Sequence, residues 1–221
     1  DRIHNQNSYK HRILYYGPSS SKDLLATINQ YHQVPAALKD IPAGNEYSYL
    51  ETPVTKVLVA PYDAKQIYMA QISNLDKKYD PAIEPIRALY DEYFGGGMNS
   101  IVFQEMRETR GLAYSAWASI MPPSYLKYPY VLRTQIATQN DKMIDAVTTF
   151  NDIINNMPES EAAFKLAKDG LTNRLRTERI IKGDIIWSYI NAQDLGQNVD
   201  PRIKLYNDIQ NMSLKDIVDF Q

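Results

Sequence analysis

The chain has 221 residues, with 24 Lys plus Arg against 26 Asp plus Glu. That is long enough to bury a core, and it leaves no electrostatic footprint for nucleic acid or an anionic membrane surface. The absence of cysteine excludes disulfides and thiolate metal sites, but it fits reducing and oxidising compartments equally and so leaves localisation open. No apolar run approaches the roughly 20 residues that a membrane helix needs, and nothing at the start resembles a signal peptide. Asp1 is not an initiator methionine, so a processed or partial chain is expected. The 17 tyrosines fit half-buried strand and interface positions, or a peptide-binding surface, because tyrosine joins an apolar ring to a polar tip.

Residues 1–11 are polar and read as a linker, followed by one domain over 12–221. RILYYG at 12–17 reads as a short buried strand, and GPSSS after it supplies a turn and a helix cap. The helix should run to about Gln33 with Leu24, Leu25, Ile28 and Tyr31 inward. Pro35, Pro42 and Pro53, with Gly44, mark an irregular surface loop over 34–53. Two strands are expected next, at 54–60 and 66–74, separated by PYDAK. The second carries apolar side chains on both faces, Ile67 and Met69 against Tyr68, Ala70 and Ile72, which places it near the centre of a sheet.

The organising stretch is 89–120, LYDEYFGGGMNSIVFQEMRETRGLAYSAWASI. Ile83, Ile86, Tyr90 and Tyr93 form one apolar helical stripe; Met98, Ile101, Val102 and Met106 form another. Gly95, Gly96 and Gly97 join the two helices in a structural turn, and Gly111 leads into a strand at 112–121. These glycines suit junctions that need positive φ. Pro122-Pro123 ends the strand, and residues 130–139 alternate as its hairpin partner. Helices follow through Phe150 to Met157, from Ser160 to near Gly183, and over 184–195, 202–211 and 213 onward. Paired strands and paired helices argue for an α+β fold: a mixed, largely antiparallel sheet with helices mainly on one face.

FGGGMNSIVFQEMRETRGLAYS resembles the non-catalytic domain of the pitrilysin, insulysin and mitochondrial-processing-peptidase family of zinc metallopeptidases, and the order of elements extends that resemblance over nearly the whole chain. The family's inverted zinc motif, H-x-x-E-H, is missing: His4, His11 and His32 begin HNQNS, HRILY and HQVPA. The resemblance therefore implies no catalytic residue and no metal ligand in this chain, with zinc in a partner domain or subunit. It also implies that Arg107 and Tyr114 bind substrate peptide beside that zinc-bearing half. A further strand usually follows the last helix in the family, so truncation at the C-terminus is expected.

Both residue types suit the task, since Arg offers a charged planar fork of donors and a neutral Tyr hydroxyl can donate to an oxyanion. The plainer alternative is that Arg107 pairs with Glu108 and Tyr114 fills the sheet surface. The triple glycine lacks the Lys-Ser/Thr pair and preceding strand of a phosphate cradle. Asp91, Glu92, Glu105 and Glu108 read as a charged helix face rather than an acid-base pair. The histidines show no chelating pair at i+3 or i+4. The expected function is a peptide-contacting domain of a zinc metalloendopeptidase; the rival is an inert scaffold or assembly subunit with the same fold.

Overall fold

The computed structural model describes residues 5–45, 47 and 51–221. Two units divide the chain: Asp1–Ser48 with Ile180–Ile190, and Tyr49–Arg179 with Asn191–Gln221. In the first, Ser20 caps helix α1 (Ser21–Tyr31) by accepting from the Asp23 N–H at 3.2 Å, a cap worth about 1 kcal/mol. No residue of α1 is buried, and Leu25 and Tyr31 point to solvent rather than inward. Residues 12–17 form no strand. An isolated parallel bridge, Tyr9 with Lys39, is the β-pairing that this unit offers among the described residues, so RILYYG has apolar character but no ladder to join.

The second unit holds a three-stranded antiparallel sheet of order β1-β3-β2: β1 Gln66–Lys78, β2 Ser115–Met121 and β3 Pro129–Gln139. Ile136 sits between Met69 and Ala116 in register, and Thr134 between Gln71 and Ala118. Their face meets the core, while the face bearing Tyr68, Ile72 and Arg133 stays open. Among the described residues β1 is therefore an edge strand and β3 the centre, the reverse of the position that the two-sided apolar pattern of β1 suggests. That pattern reports hydrophobicity and not neighbours.

The expected strand at 54–60 is also absent. Val57, Leu58 and Val59 are 80%, 89% and 82% exposed. The stretch is tied to β1 by a side chain, Thr52 Oγ1 accepting from the Asn74 N–H at 3.1 Å. Strand-forming residues need a main-chain partner to become a strand, and here no ladder closes.

Helix α2 (Glu84–Phe94) packs Leu89, Tyr90, Tyr93 and Phe94 inward. A three-residue α3 (Ile101–Phe103) continues into a π-helical segment, Gln104–Thr109. Helices α4 (Met143–Asn155), α5 (Glu161–Thr177), α6 (Gly183–Asp194), α7 (Pro201–Ile209) and α8 (Leu214–Phe220) complete the chain. Phe150, Leu171, Ile209 and Ile217 from four of these helices join Leu89, Tyr93, Val102, Met106 and Ile136 in one cluster. Each fully buried apolar side chain there contributes about 1.5–3 kcal/mol.

The outer edge of β2 is closed by α2. Asp91 Oδ1 accepts from the Ile120 N–H at 2.8 Å, and Arg87 Nη1 donates to the Ile120 carbonyl at 2.9 Å. A carboxylate and a guanidinium thus replace the acceptor and donor of a neighbouring strand. Arg87 also pairs with Asp91 at 2.6 Å and Glu84 at 3.1 Å. Burial pushes the Asp91 carboxyl up to about 6, against the opposing pull of Arg87 and of the hydrogen bonds from Ile120 and Ser119.

Candidate functional site

The turn between α2 and α3 is shaped by close approach. Gly95 has φ −137°, and a Cβ there would lie 2.1 Å from the Ala118 carbonyl oxygen. At Gly96 it would lie 2.7 Å from the Asp91 carbonyl oxygen, and at Gly97 it would meet nothing within 4 Å. Positive φ is confined to Gly111, at +57°, and Gly196 among the described glycines. Gly95 is thus needed for close contact with β2 and Gly96 for close contact with the end of α2, not for the positive φ that the sequence suggests, while Gly97 is under neither constraint. Ser100 occupies the α3 N-terminus itself: its hydroxyl donates to the Gly97 carbonyl at 2.7 Å and accepts from the Phe103 N–H at 3.4 Å.

The second predicted helix is shorter and wider than its periodicity implies, and Met98 lies exposed rather than in the stripe. π-turns insert extra backbone and redirect the side chains on them. Arg107 sits on this segment. The Met106 carbonyl accepts from the Leu112 and Ala113 N–H groups at 2.8 and 3.2 Å, and the Tyr114 N–H donates to Ala137 at 2.8 Å. Thr138 Oγ1 donates to Leu112 O at 2.5 Å and Lys142 Nζ to Gly111 O at 3.0 Å. These bonds consume residues 112–114, which is why β2 begins at Ser115 and not at Leu112.

The reversal brings Arg107 and Tyr114 together. The guanidinium carbon lies 5.6 Å from the Tyr114 ring centroid and 5.1 Å from that of Phe103. Such contacts are worth about 0.5–1 kcal/mol at exposed sites. Glu108 lies 3.7 Å from Arg107, an open pair worth at most about 1 kcal/mol. Tyr114 is 70% exposed, so its hydroxyl is presented to solvent. The cluster can donate hydrogen bonds and place positive charge.

The nearby acids are engaged elsewhere. Glu105 pairs with Arg110 at 3.3 Å, Glu92 with Arg174 at 2.9 Å, and Asp91 with Arg87. Among the described residues no three His, Cys, Asp or Glu converge as a metal cage, so a catalytic zinc does not fit this chain's described residues. His4 lies outside them. His11 and His32 do meet, 21 positions apart, which no search for short chelating spacings could find.

Sequence reading also missed the open sheet face. Arg133 stands 5.9 Å from the Trp117 ring and opposite exposed Ile72 in register, with exposed Tyr68 further along the same face. The signal was available in Ser-Ala-Trp-Ala-Ser at 115–119, where small residues and one large aromatic alternate. A cavity of about 230 Å³ on the core side is lined by Lys77, Arg87, Tyr90, Phe94, Tyr130 and Phe220 among others; its guanidinium, Arg87, is engaged by Glu84, Asp91 and the Ile120 carbonyl.

A family model described as "Peptidase M16 inactive domain" matches residues 13–171. Among solved structures, the peptidase M16 inactive domain from Pseudomonas fluorescens is 15% identical with TM-score 0.58, over 72% of this chain and 38% of that one. The periplasmic protease PqqL from Escherichia coli is 14% identical with TM-score 0.64, over 91% of this chain and 22% of that one. A protease from Helicobacter pylori is 12% identical with TM-score 0.63, over 91% and 49%. The chain spans less than half the length of each of these three. A search of curated proteins found no match. No helix among the described residues is long and apolar enough to cross a membrane.

Proposed function

Because the chain belongs to the peptidase M16 inactive-domain family, we propose that it forms one wall of the peptide-binding chamber of a zinc metalloendopeptidase whose H-x-x-E-H motif and metal lie in another domain or subunit. Two solved structures of like fold are described as proteases, which supports a peptidase as the parent. In such a parent the zinc supplies the activated water. The part left to this chain is to hold the peptide.

The observation that carries the reading is the exposed, pre-positioned pair of Arg107 and Tyr114. Stacking against Phe103 and Tyr114 restricts the Arg107 side chain before a ligand arrives, which lowers the ordering cost of binding. Its fork and the Tyr114 hydroxyl are then donors for a peptide carbonyl. Strand addition at β2 is blocked at Ile120 by Asp91 and Arg87, so contact through these side chains is favoured over pairing along that edge.

A photo-crosslinking residue placed at position 114 of the complete zinc-bearing protein tests the reading. A labelled peptide substrate should crosslink there and not at Leu166, an exposed position on α5. Equal labelling at both positions would favour an inert scaffold.

A further inference from the structure

We propose that His11 and His32 form a binding site for a borderline divalent transition-metal ion such as Cu²⁺ or Zn²⁺. The inference is independent of the peptidase reading, because it concerns the first unit alone. The two Nε2 atoms lie 2.7 Å apart, and the rings meet edge to face with centroids 4.9 Å apart at 87°.

The protonation pattern follows from the partners. His11 Nδ1 lies 2.6 Å from the Tyr9 carbonyl oxygen. A carbonyl can only accept, so Nδ1 carries the hydrogen and the Nε2 lone pair of neutral His11 is left facing His32. His32 Nε2 then supplies the single hydrogen between the rings. That is the arrangement a metal-binding imidazole uses: one nitrogen donates to a carbonyl, which fixes the ring and tautomer, and the other is free to ligate. Replacing the shared proton by a cation requires only that His32 carry its hydrogen on Nδ1 instead.

The distances permit it. Two nitrogens at about 2.0–2.1 Å from a tetrahedral ion stand roughly 3.3 Å apart, so the pair must open by about 0.6 Å. His11 is exposed and His32 half-buried, so the small rotamer change falls mainly to His11. The backbones beneath them are anchored. Lys10 N–H donates to Lys39 O and Lys39 N–H to Ser8 O, both at 2.8 Å, which pins the segment carrying His11. His32 closes α1 with its N–H on Ile28 O at 2.8 Å. A bound ion would therefore clip the segment around Tyr9 to the end of α1, with water completing its coordination. Imidazole nitrogen suits Cu²⁺, Ni²⁺ and Zn²⁺ and not Mg²⁺ or Ca²⁺, with Cu²⁺ the tightest.

The test uses the full chain, titrated with Cu²⁺ and with Zn²⁺ by calorimetry and followed for Cu²⁺ by electron paramagnetic resonance. Wild type should bind one ion with nitrogen hyperfine structure from two imidazoles. His11→Ala and His32→Asn should each weaken binding by about tenfold or more through loss of one of two protein ligands. His4→Ala should leave binding unchanged, and Mg²⁺ should give no heat. Circular dichroism of each variant checks that the fold is retained. Wild-type affinity in either His11→Ala or His32→Asn overturns the proposal. So does a loss confined to His4→Ala.

Discussion

Arg107 lies against two rings at once, 5.1 Å from Phe103 and 5.6 Å from Tyr114, one ring from the preceding turn of its own helix and one from the entry to β2. The contact couples the π-helical segment to the sheet through a side chain that remains 45% exposed. Arg107 is thus held by packing while its outward donors remain available.

The kinetic consequence separates the two residues in the zinc-bearing parent proposed above. Tyr114→Phe keeps the ring under Arg107 and removes one donor, so kcat should fall by up to about 10²-fold with little change in KM. Arg107→Ala removes the charged fork and the stack, so KM should rise as well. Steady-state kinetics with zinc content and circular dichroism as controls provide the measurement. Wild-type kcat and KM in both variants would leave the pair with a structural role.

Gly95 and Gly97 should respond oppositely to one methyl group. Gly95→Ala drives Cβ into the Ala118 carbonyl, so the helix turn and β2 must separate, at a cost of about 1–3 kcal/mol. Gly97→Ala meets open space and should stay within about 0.5 kcal/mol of wild type. Urea denaturation midpoints of the two variants decide this. Equal stabilities would show that the turn relaxes freely.

Asp91 should make stability depend on pH. Its carboxyl titrates at about 6 when folded because burial disfavours the charge, against about 3.9 unfolded. The folded chain therefore holds the proton more tightly. The resulting stabilisation is full below about pH 4 and is lost as pH rises through about 6, up to about 3 kcal/mol in all. Asp91→Asn removes this dependence, so the stability gap between wild type and variant should shrink across that window. A gap that widens with pH would mean that the Arg87 pair outweighs burial.

Thr134 is fully buried, and its hydroxyl finds no hydrogen-bond partner among the described residues. Thr134→Val keeps the shape and removes the stranded polar atom. It should raise stability by about 1 kcal/mol, since burying an unpaired hydroxyl costs about 1–3 kcal/mol. Thermal unfolding of the variant checks it, and a lowered midpoint would point to a partner for the hydroxyl in solution.

Much of the second unit was legible because its helices bury strong 3.6-residue stripes: Tyr90, Tyr93 and Phe150 were all read as inward and are buried. The hairpin of β2 and β3 was legible from alternation bounded by paired prolines. Strand neighbours were not, because Tyr68 and Ile72 look the same in sequence whether a layer covers them or not. The nearness of Arg107 and Tyr114 could be anticipated from the glycine reversal. The stack on Phe103 could not, because the helix changes from α to π between Phe103 and Arg107, and no residue pattern in QEMRET announces it. His11 and His32 meet through tertiary placement, outside the reach of short spacings.

Beyond Asn74 the ladder of β1 breaks: Asp76 adopts φ 51°, and the register with β3 shifts before Lys78 pairs with Pro129. Any strand that grows on the outer side of β1, from this molecule or another, runs beside residues 66–74 and then meets a chain that has turned away. Bulges and bends of this kind interrupt the edge that strand-to-strand association needs. The flat template that the outer side of β1 offers to a stacked copy is therefore limited to residues 66–74.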